Sequence, residues 1–441
     1  MRGSHGWAEI DAARKREIIA AIETGTATAG PSHVELDLTD RCNVACYFCN
    51  QQDVRTTQQI SFEHVCALVD ELASTGLKSV RFSGGGDPLA HRDFGRVLDH
   101  LASRDVVVDN LTTNAALLDR GIARRLVAGG AREVLVSLNA ANSADYARMM
   151  QVKPVVFDRV VENVRALVAE RGDSEAPAVA VQFLIDRLNV ERLPEMYELG
   201  RSMGADRIPV ALVLNIPLAR IDPNLLLHPS ETERLRPLLR DILGRDRDAR
   251  RLQINFPTPE WNAMLDELKR ELAYPEEPPL FPTAPAFQMK NGHCFFGWYT
   301  ATIRGNGDLY PCCLLMTPDY TPLGNASKGR FTDRWNGPEF TKLRSEMRDV
   351  LLDGEKAQFD PERHRVIRPQ CVTDGACWLK NIYFRGDQEF YERLGQALER
   401  ARRKDRFRLA ARRGFRRVAR VARDLRRVAR AARDLGRRAS A

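Results

Sequence analysis

Residues 36–52 read LDLTDRCNVACYFCNQQ, a short apolar alternation that runs straight into a loop carrying Cys42, Cys46 and Cys49. The alternation is that of a strand, so the three thiols sit on the loop that leaves it. An iron–sulfur cluster of the cubane type has four irons and ordinarily takes four thiolates. Three cysteines this close can wrap one cluster and leave the fourth iron to bind a small molecule through hard donor groups. Zinc is the competing occupant. Structural zinc sites pair cysteines two residues apart and complete a set of four, so a 3-then-2 spacing with no nearby fourth Cys or His suits zinc poorly.

Outward from this loop the chain alternates strand and helix. Apolar, β-prone runs fall at 33–38, 78–82, 106–111, 133–138, 178–185 and 207–214, with amphipathic helical stretches between them at 94–103, 119–128 and 157–170. That alternation implies a parallel sheet with right-handed crossovers, and six units suit a partial (β/α)6 barrel of the TIM type. The second strand ends in SGGGDPLAH, where Gly84, Gly85 and Gly86 let the backbone approach a ligand and offer peptide groups to it, followed by Asp87. The third ends in LTTNAALL (Thr113, Asn114) and the fourth in VLVSLNAANSADYARMM. There Ser137 alternates with Val136 and Leu138 and is expected to point into the barrel.

The remaining cysteines are grouped too. Cys294 and Cys312 flank an expected β-hairpin whose turn is Gly305-Asn306-Gly307-Asp308, and Cys371 and Cys377 lie in PQCVTDGACWLK. Two cysteines on a hairpin and two from a later loop make a closed four-thiolate site, for a cluster or for zinc. Cys313 is left over, either as a buried residue on the far side of its strand or as a thiol able to return hydrogen to a substrate radical. Cys66 shares a helical face with Phe62, Val65, Val69 and Leu72 and is expected to be a buried apolar residue.

Nine cysteines without a secretory signal argue for metal or redox chemistry rather than a disulfide framework. No apolar run approaches the ~18 residues of a membrane span, and a cytoplasmic location is expected. The net charge of +8 is uneven: residues 400–441 carry 18 Lys and Arg against 3 Asp and Glu, leaving the preceding 399 at −7. The catalytic part therefore need not be basic. In the tail RRVARVARDL (416–425) is followed by RRVARAARDL (426–435), a basic helix with a narrow Ala- and Val-weighted stripe. A solvated face, an anionic surface and nucleic acid all remain open for it. The expected organisation is an N-terminal helix (1–30), a core (31–215), a proline-rich bridging segment (216–290), a small cysteine-rich domain (291–385) and a basic helical tail (386–441).

CNVACYFC resembles the CxxxCxxC signature of the radical SAM superfamily, including the aromatic Phe48 before the last cysteine. The resemblance implies that S-adenosylmethionine chelates the open iron of a [4Fe–4S] cluster held by Cys42, Cys46 and Cys49. The cluster, fed by an external one-electron reductant of flavodoxin or ferredoxin type, then splits it to a 5′-deoxyadenosyl radical. It further implies cofactor contacts from Phe48, from the GGEP-like segment Gly84, Gly85, Gly86 and Asp87 (with Asp where Glu is commoner), and from Asn114, Ser137, Asn139 and Arg148. For Arg148 a solvated helix surface is an equal reading; Asn189 is a weaker candidate near the adenosine. The second cysteine group resembles the SPASM/Twitch extension, with Gly307 to Cys312 as its GxxxxC, which implies one auxiliary [4Fe–4S] cluster on Cys294, Cys312, Cys371 and Cys377.

Two reactions fit. One is dehydrogenation or epimerisation of a small-molecule or sugar-type natural product, with Cys313 as the hydrogen donor in the epimerase case. The other is modification of a peptide. Peptide-modifying relatives often carry a leader-binding domain of roughly 80 residues before the first cysteine, and 41 residues precede Cys42, which favours the small molecule. A non-catalytic iron–sulfur scaffold is the reading from another class. Iron counting separates one cluster from two: Cys294→Ala should lower the iron content of anaerobically reconstituted protein by about half, and an unchanged count would remove the second cluster.

Overall fold

The six strands stand where the alternation places them: β1 (His33–Leu36), β2 (Ser79–Phe82), β3 (Val107–Thr113), β4 (Glu133–Ser137), β5 (Ala178–Ile185) and β6 (Ile208–Leu212). Their helices match as well, at Phe94–Ala102, Arg120–Ala128 and Val155–Arg171. Local chemistry sets the starts of several helices. Ser61 caps Phe62–Ser74, Asp119 caps Arg120–Ala128 and Asn142 caps Ser143–Met150, each side chain accepting a first-turn N–H. The computed structural model describes residues 10–49, 51, 56–213, 221–255, 259–275, 294–317, 319–354, 357–372, 384 and 387–404. Cys377, the proline-rich stretch from 276 and the repeats of the tail lie outside the described residues.

Among the described residues three further strands extend the sheet: β7 (Leu252–Asn255), β8 (Thr300–Ile303) and β9 (Leu309–Tyr310). The spatial order is β7-β6-β5-β4-β3-β2-β1-β8-β9, and every pairing is parallel except β8 with β9. The expected six-stranded α/β unit is thus present, lengthened by one parallel strand at each end (β7 and β8), with helices packed against the sheet. Strand β7 falls in the expected bridging segment. The 0%-exposed Asp246 fixes it, accepting from Arg251 N, Leu252 N and the hydroxyls of Tyr197 and Tyr274.

The cysteine-rich hairpin forms as expected, with Thr302 opposite Tyr310 and Ile303 opposite Leu309. Unforeseen is that β8 also pairs in parallel with β1, His33 with Thr300 through Leu36 with Ile303. The two cysteine regions therefore share one sheet. Because β8 and β1 run the same way, the loop after each emerges at the same edge. Glu71, on the helix after the first cysteine loop, binds this union by accepting from Phe331 N, Thr332 N and the Thr332 hydroxyl. Residues 388–404 form a helix that buries Phe390, Tyr391, Leu394 and Leu398 and ties Arg400 and Lys404 to Glu23. The expected basic helical tail (386–441) thus begins as a packed helix. Cys66 also departs from expectation: Leu68 takes its place in the buried set of its helix, and the thiol is half-buried.

Two glycines give the packing a test. A Cβ at Gly86 would lie 1.7 Å from the Arg41 carbonyl oxygen, whereas one at Gly244, inside the helix Thr232–Asp246, meets nothing within 4 Å. Gly86→Ala should cost about 3 kcal/mol or more, and Gly244→Ala should stabilise by about 0.5–1 kcal/mol. Urea unfolding of iron-free protein measures both, and equal midpoints would contradict the packing.

Candidate metal centre

At the C-terminal edge of the sheet the Cys42–Cys49 loop is held from four sides. Thr39 and Arg41 carbonyls accept from Gly86 N (2.8 Å) and Asp87 N (2.9 Å) of the segment after β2. Asn114, at the end of β3, donates from Nδ2 to Asn43 Oδ1 at 2.8 Å and reaches Cys42 Sγ at 3.9 Å. The carbonyls of Met149 and Met150, at the end of the helix after β4, accept from Tyr47 N and Ala45 N, and Cys46 Sγ lies 3.5 Å from Met150 Sδ. The Tyr47 hydroxyl donates to Asp186, at the end of β5. Burial, then that carboxylate, pushes the Tyr47 hydroxyl far above its ordinary range. Phe48, with Leu184 and Leu226, packs against the buried pair Val213 and Ile221.

Soft thiol donors on one short, braced loop are the donor set a cluster takes. Among the described residues no three Cys, His, Asp or Glu side chains converge on a single-ion site. In a cubane each thiolate serves a different iron, and three thiols on one loop are chemically suited to that role. The eight described cysteines form no disulfide.

The glycine segment acts differently from expectation. The N–H groups of Gly84 and Gly86 are already used, by Asp37 Oδ1 (2.8 Å) and the Thr39 carbonyl. A Cβ at Gly85 (φ +77°) would lie 2.6 Å from Asp40 Oδ1, so the glycines let two chain segments pass closely. Asp87 is 4% exposed and braces two strand ends, accepting from Leu89 N (2.9 Å), the Thr113 hydroxyl (2.9 Å) and Asn114 N (2.8 Å). Burial raises its carboxyl despite these bonds. Asp37 is fully buried; burial and neighbouring Glu35 push it up to about 8, against the Gly84 N–H and the Arg304 cation.

The other candidates separate into bracing and rim positions. Asn139 (φ +62°, 1% exposed) accepts from Leu184 N at 2.9 Å, and Asn189 donates to the Asn139 and Leu184 carbonyls. Both side chains therefore join the loop after β4 to the end of β5. Ser137 is half-buried at the end of β4, opposite Gln182. Arg148 is exposed, paired with Asp145 at 2.9 Å and with the Leu188 carbonyl, which is the solvated reading. Along the inner face, Glu35 pairs in register with Arg81. The Cys313 thiol is hydrogen-bonded to Glu35; burial first, then that carboxylate, raises it, against the Arg81 cation.

In the second cysteine group Cys312 and Cys371 both act electrostatically on Tyr320. That tyrosine is 5% exposed, and burial followed by the two cysteines raises its hydroxyl. Arg368 stacks on its ring at 5.0 Å. Tyr320 was not anticipated, since TPDYTP carries no signal beyond a turn. Cys294 is half-buried just before Phe295, itself 0% exposed.

Comparison with known proteins adds to this geometry. Residues 36–200 match the model of the Radical SAM superfamily, and residues 294–359 match that of the SPASM iron-sulfur cluster-binding domain. A Probable GTP 3',8-cyclase of Methanosarcina acetivorans is 30% identical over 233 residues, 52% of this chain and 66% of that protein. Across three such cyclases the chain spans 56–66% of their length. The PqqA peptide cyclase of Granulibacter bethesdensis is 23% identical over 390 residues, 83% of this chain and 95% of that protein. Among solved structures, Streptococcus suis SuiB bound to S-adenosylmethionine shares the fold at a TM-score of 0.54 and 18% identity, over 75% of this chain and 71% of that one.

Removing the Asp87 acceptor would leave the buried Asn114 N–H and Thr113 hydroxyl and the part-buried Leu89 N–H without it. Asp87→Ala should destabilise iron-free protein by roughly 2–4 kcal/mol and weaken S-adenosylmethionine binding to reconstituted protein. Urea unfolding and anaerobic calorimetry check the two effects, and wild-type values in both would remove the bracing role.

Proposed function

Because this chain belongs to the radical SAM superfamily and carries a SPASM iron–sulfur domain behind its core, we propose that it modifies a peptide by S-adenosylmethionine-dependent radical chemistry. The observation that carries the peptide is the likeness to the PqqA peptide cyclase, which covers 83% of this chain and so extends from the core into the second cysteine region. The likeness to the GTP 3',8-cyclases spans about half of the chain (52%) and speaks to the shared core. The small-molecule reading, dehydrogenation or epimerisation, is the less supported of the two.

In this reading Cys42, Cys46 and Cys49 hold the cluster, and Cys294, Cys312, Cys371 and Cys377 hold the auxiliary one. The first, when bound, supplies the electron that splits the sulfonium of S-adenosylmethionine, drawn from an external low-potential reductant. The chain's own residues orient and shield. Asn114 fixes the Cys42 end of the loop. Asp186 fixes the Cys46–Cys49 end through Tyr47, and Phe48 covers the loop on the side of Val213 and Ile221. Glu35 and Arg81, in register on β1 and β2, and Cys313 beside Glu35 are the polar groups we assign to holding a peptide amide.

Anaerobic protein with dithionite and S-adenosylmethionine should form 5′-deoxyadenosine, and Cys42→Ala should abolish it. Peptides encoded by short reading frames beside the gene should then lose two hydrogens per crosslink and pass deuterium from labelled positions into 5′-deoxyadenosine. Formation of 5′-deoxyadenosine with deuterium entering only from small molecules would overturn the peptide substrate and leave the cofactor chemistry standing.

A further inference from the structure

The two cysteine regions meet at one buried guanidinium. Arg304 follows β8 directly, and Nη2 pairs with Asp40 Oδ1 at 3.2 Å, the side chains being 6% and 1% exposed. Asp40 lies two residues before Cys42. Its N–H donates to the Gln58 carbonyl at 2.9 Å, and its other oxygen accepts from the Thr56 hydroxyl, so both ends of the cysteine loop are tied to it. The Arg304 cation also acts on Asp37, whose Oδ1 holds Gly84 N at 2.8 Å. One side chain of the second region thus faces the carboxylate at the root of the cysteine loop and the carboxylate that holds the glycine segment.

Arg304 is itself rigidly placed. Its N–H donates to the Asp308 carbonyl at 3.0 Å, and its carbonyl accepts from Gly307 N at 2.7 Å. Asn325 clamps the turn by donating to the Asn306 carbonyl and Asp308 Oδ1. Gly305 makes the close approach: a Cβ there would lie 3.1 Å from Asp40 N and from the Gln58 carbonyl. Four residues beyond that turn the same hairpin delivers Cys312. Breaking a buried ion pair on one side leaves an uncompensated charge, which the surroundings relieve by moving.

We propose that Arg304 is a positioning residue for the Cys42–Cys49 loop, so that the placement of the hairpin bearing Cys312 sets the geometry at the first cysteine site. The inference rests on the assignment of a cluster to Cys42, Cys46 and Cys49, and its first readout needs no cluster. In iron-free full-length protein, iodoacetamide labelling followed by peptide mass mapping reports how well the loop is held. Arg304→Met should speed alkylation of Cys42, Cys46 and Cys49 at least fivefold and leave Cys66, on the helix Phe62–Ser74, at the wild-type rate. Asp40→Asn should do the same, and the double variant should be no faster than either, because the two residues act as a pair.

In reconstituted protein, Arg304→Met should weaken S-adenosylmethionine binding by at least tenfold in anaerobic calorimetry, and Arg304→Lys should recover part of that loss. If Arg304→Met raises Cys66 labelling as well, it has unfolded, and Arg304→Lys with Asp40→Asn then carry the comparison. Wild-type labelling of the three loop cysteines in folded variants would overturn the proposal, as would a change confined to Cys312 and Cys371. Failure of wild-type protein to bind S-adenosylmethionine would sink the cofactor assignment instead and leave the labelling result to decide the role of Arg304.

Discussion

A four-residue strand, β1, hydrogen-bonded in parallel to β2 on one side and to β8 on the other, is the constraint on which the rest depends. Parallel strands release their loops at a common edge, which is why ligands of α/β sheets gather at the carboxyl ends. The cysteine loop leaves β1, the glycine segment leaves β2, Asn114 follows β3 and the hairpin toward Cys312 leaves β8. Covalently these are 270 residues apart, from Cys42 to Cys312. Through the ladder they are neighbours.

Carboxylates do much of the joining at that edge. Asp37 takes Gly84 N, Asp87 takes Leu89 N and Asn114 N, and Asp186 takes Leu188 N and the Tyr47 hydroxyl. A short carboxylate can accept from a turn that no strand partner reaches, which satisfies loop N–H groups that burial would otherwise leave costly. The cost appears in the acids: burial raises the carboxyls of Asp37 and Asp87. Arg304 meets this excess of buried acid from the second cysteine region. The two regions are therefore joined electrostatically at the site and, behind it, by Tyr299, whose ring meets His33 edge-on and whose carbonyl accepts from Ser32 N and His33 N.

What the sequence made legible is what period and spacing encode. Strand alternation located β1 to β6 because each is a run of at least four residues with a buried face, and cysteine spacing located the loop. Long-range pairing was not legible. Nothing in TATI, at 300–303, says that it will lie against β1, because edge choice depends on the surface presented by the rest of the fold. The polar candidates show the same limit. The stretch SLNAAN places Asn139 near the site, but the left-handed backbone at that residue turns its side chain onto Leu184 N. For Arg148, Asp145 three residues away offers an ion pair at the helix surface. Glycines 84–86 were legible as a close approach; what approaches them, Asp37, Asp40 and Arg41, was not.

The central claim is that three thiolates leave one iron for S-adenosylmethionine. Electron–nuclear double resonance on dithionite-reduced, anaerobic protein tests it directly, with S-adenosylmethionine labelled by 15N at the amino group and 17O at the carboxylate. The account predicts hyperfine couplings from both labels on the cluster signal, and their loss in Cys46→Ala. A cluster signal that shows neither coupling, or zinc in place of iron at Cys42, Cys46 and Cys49, would contradict it.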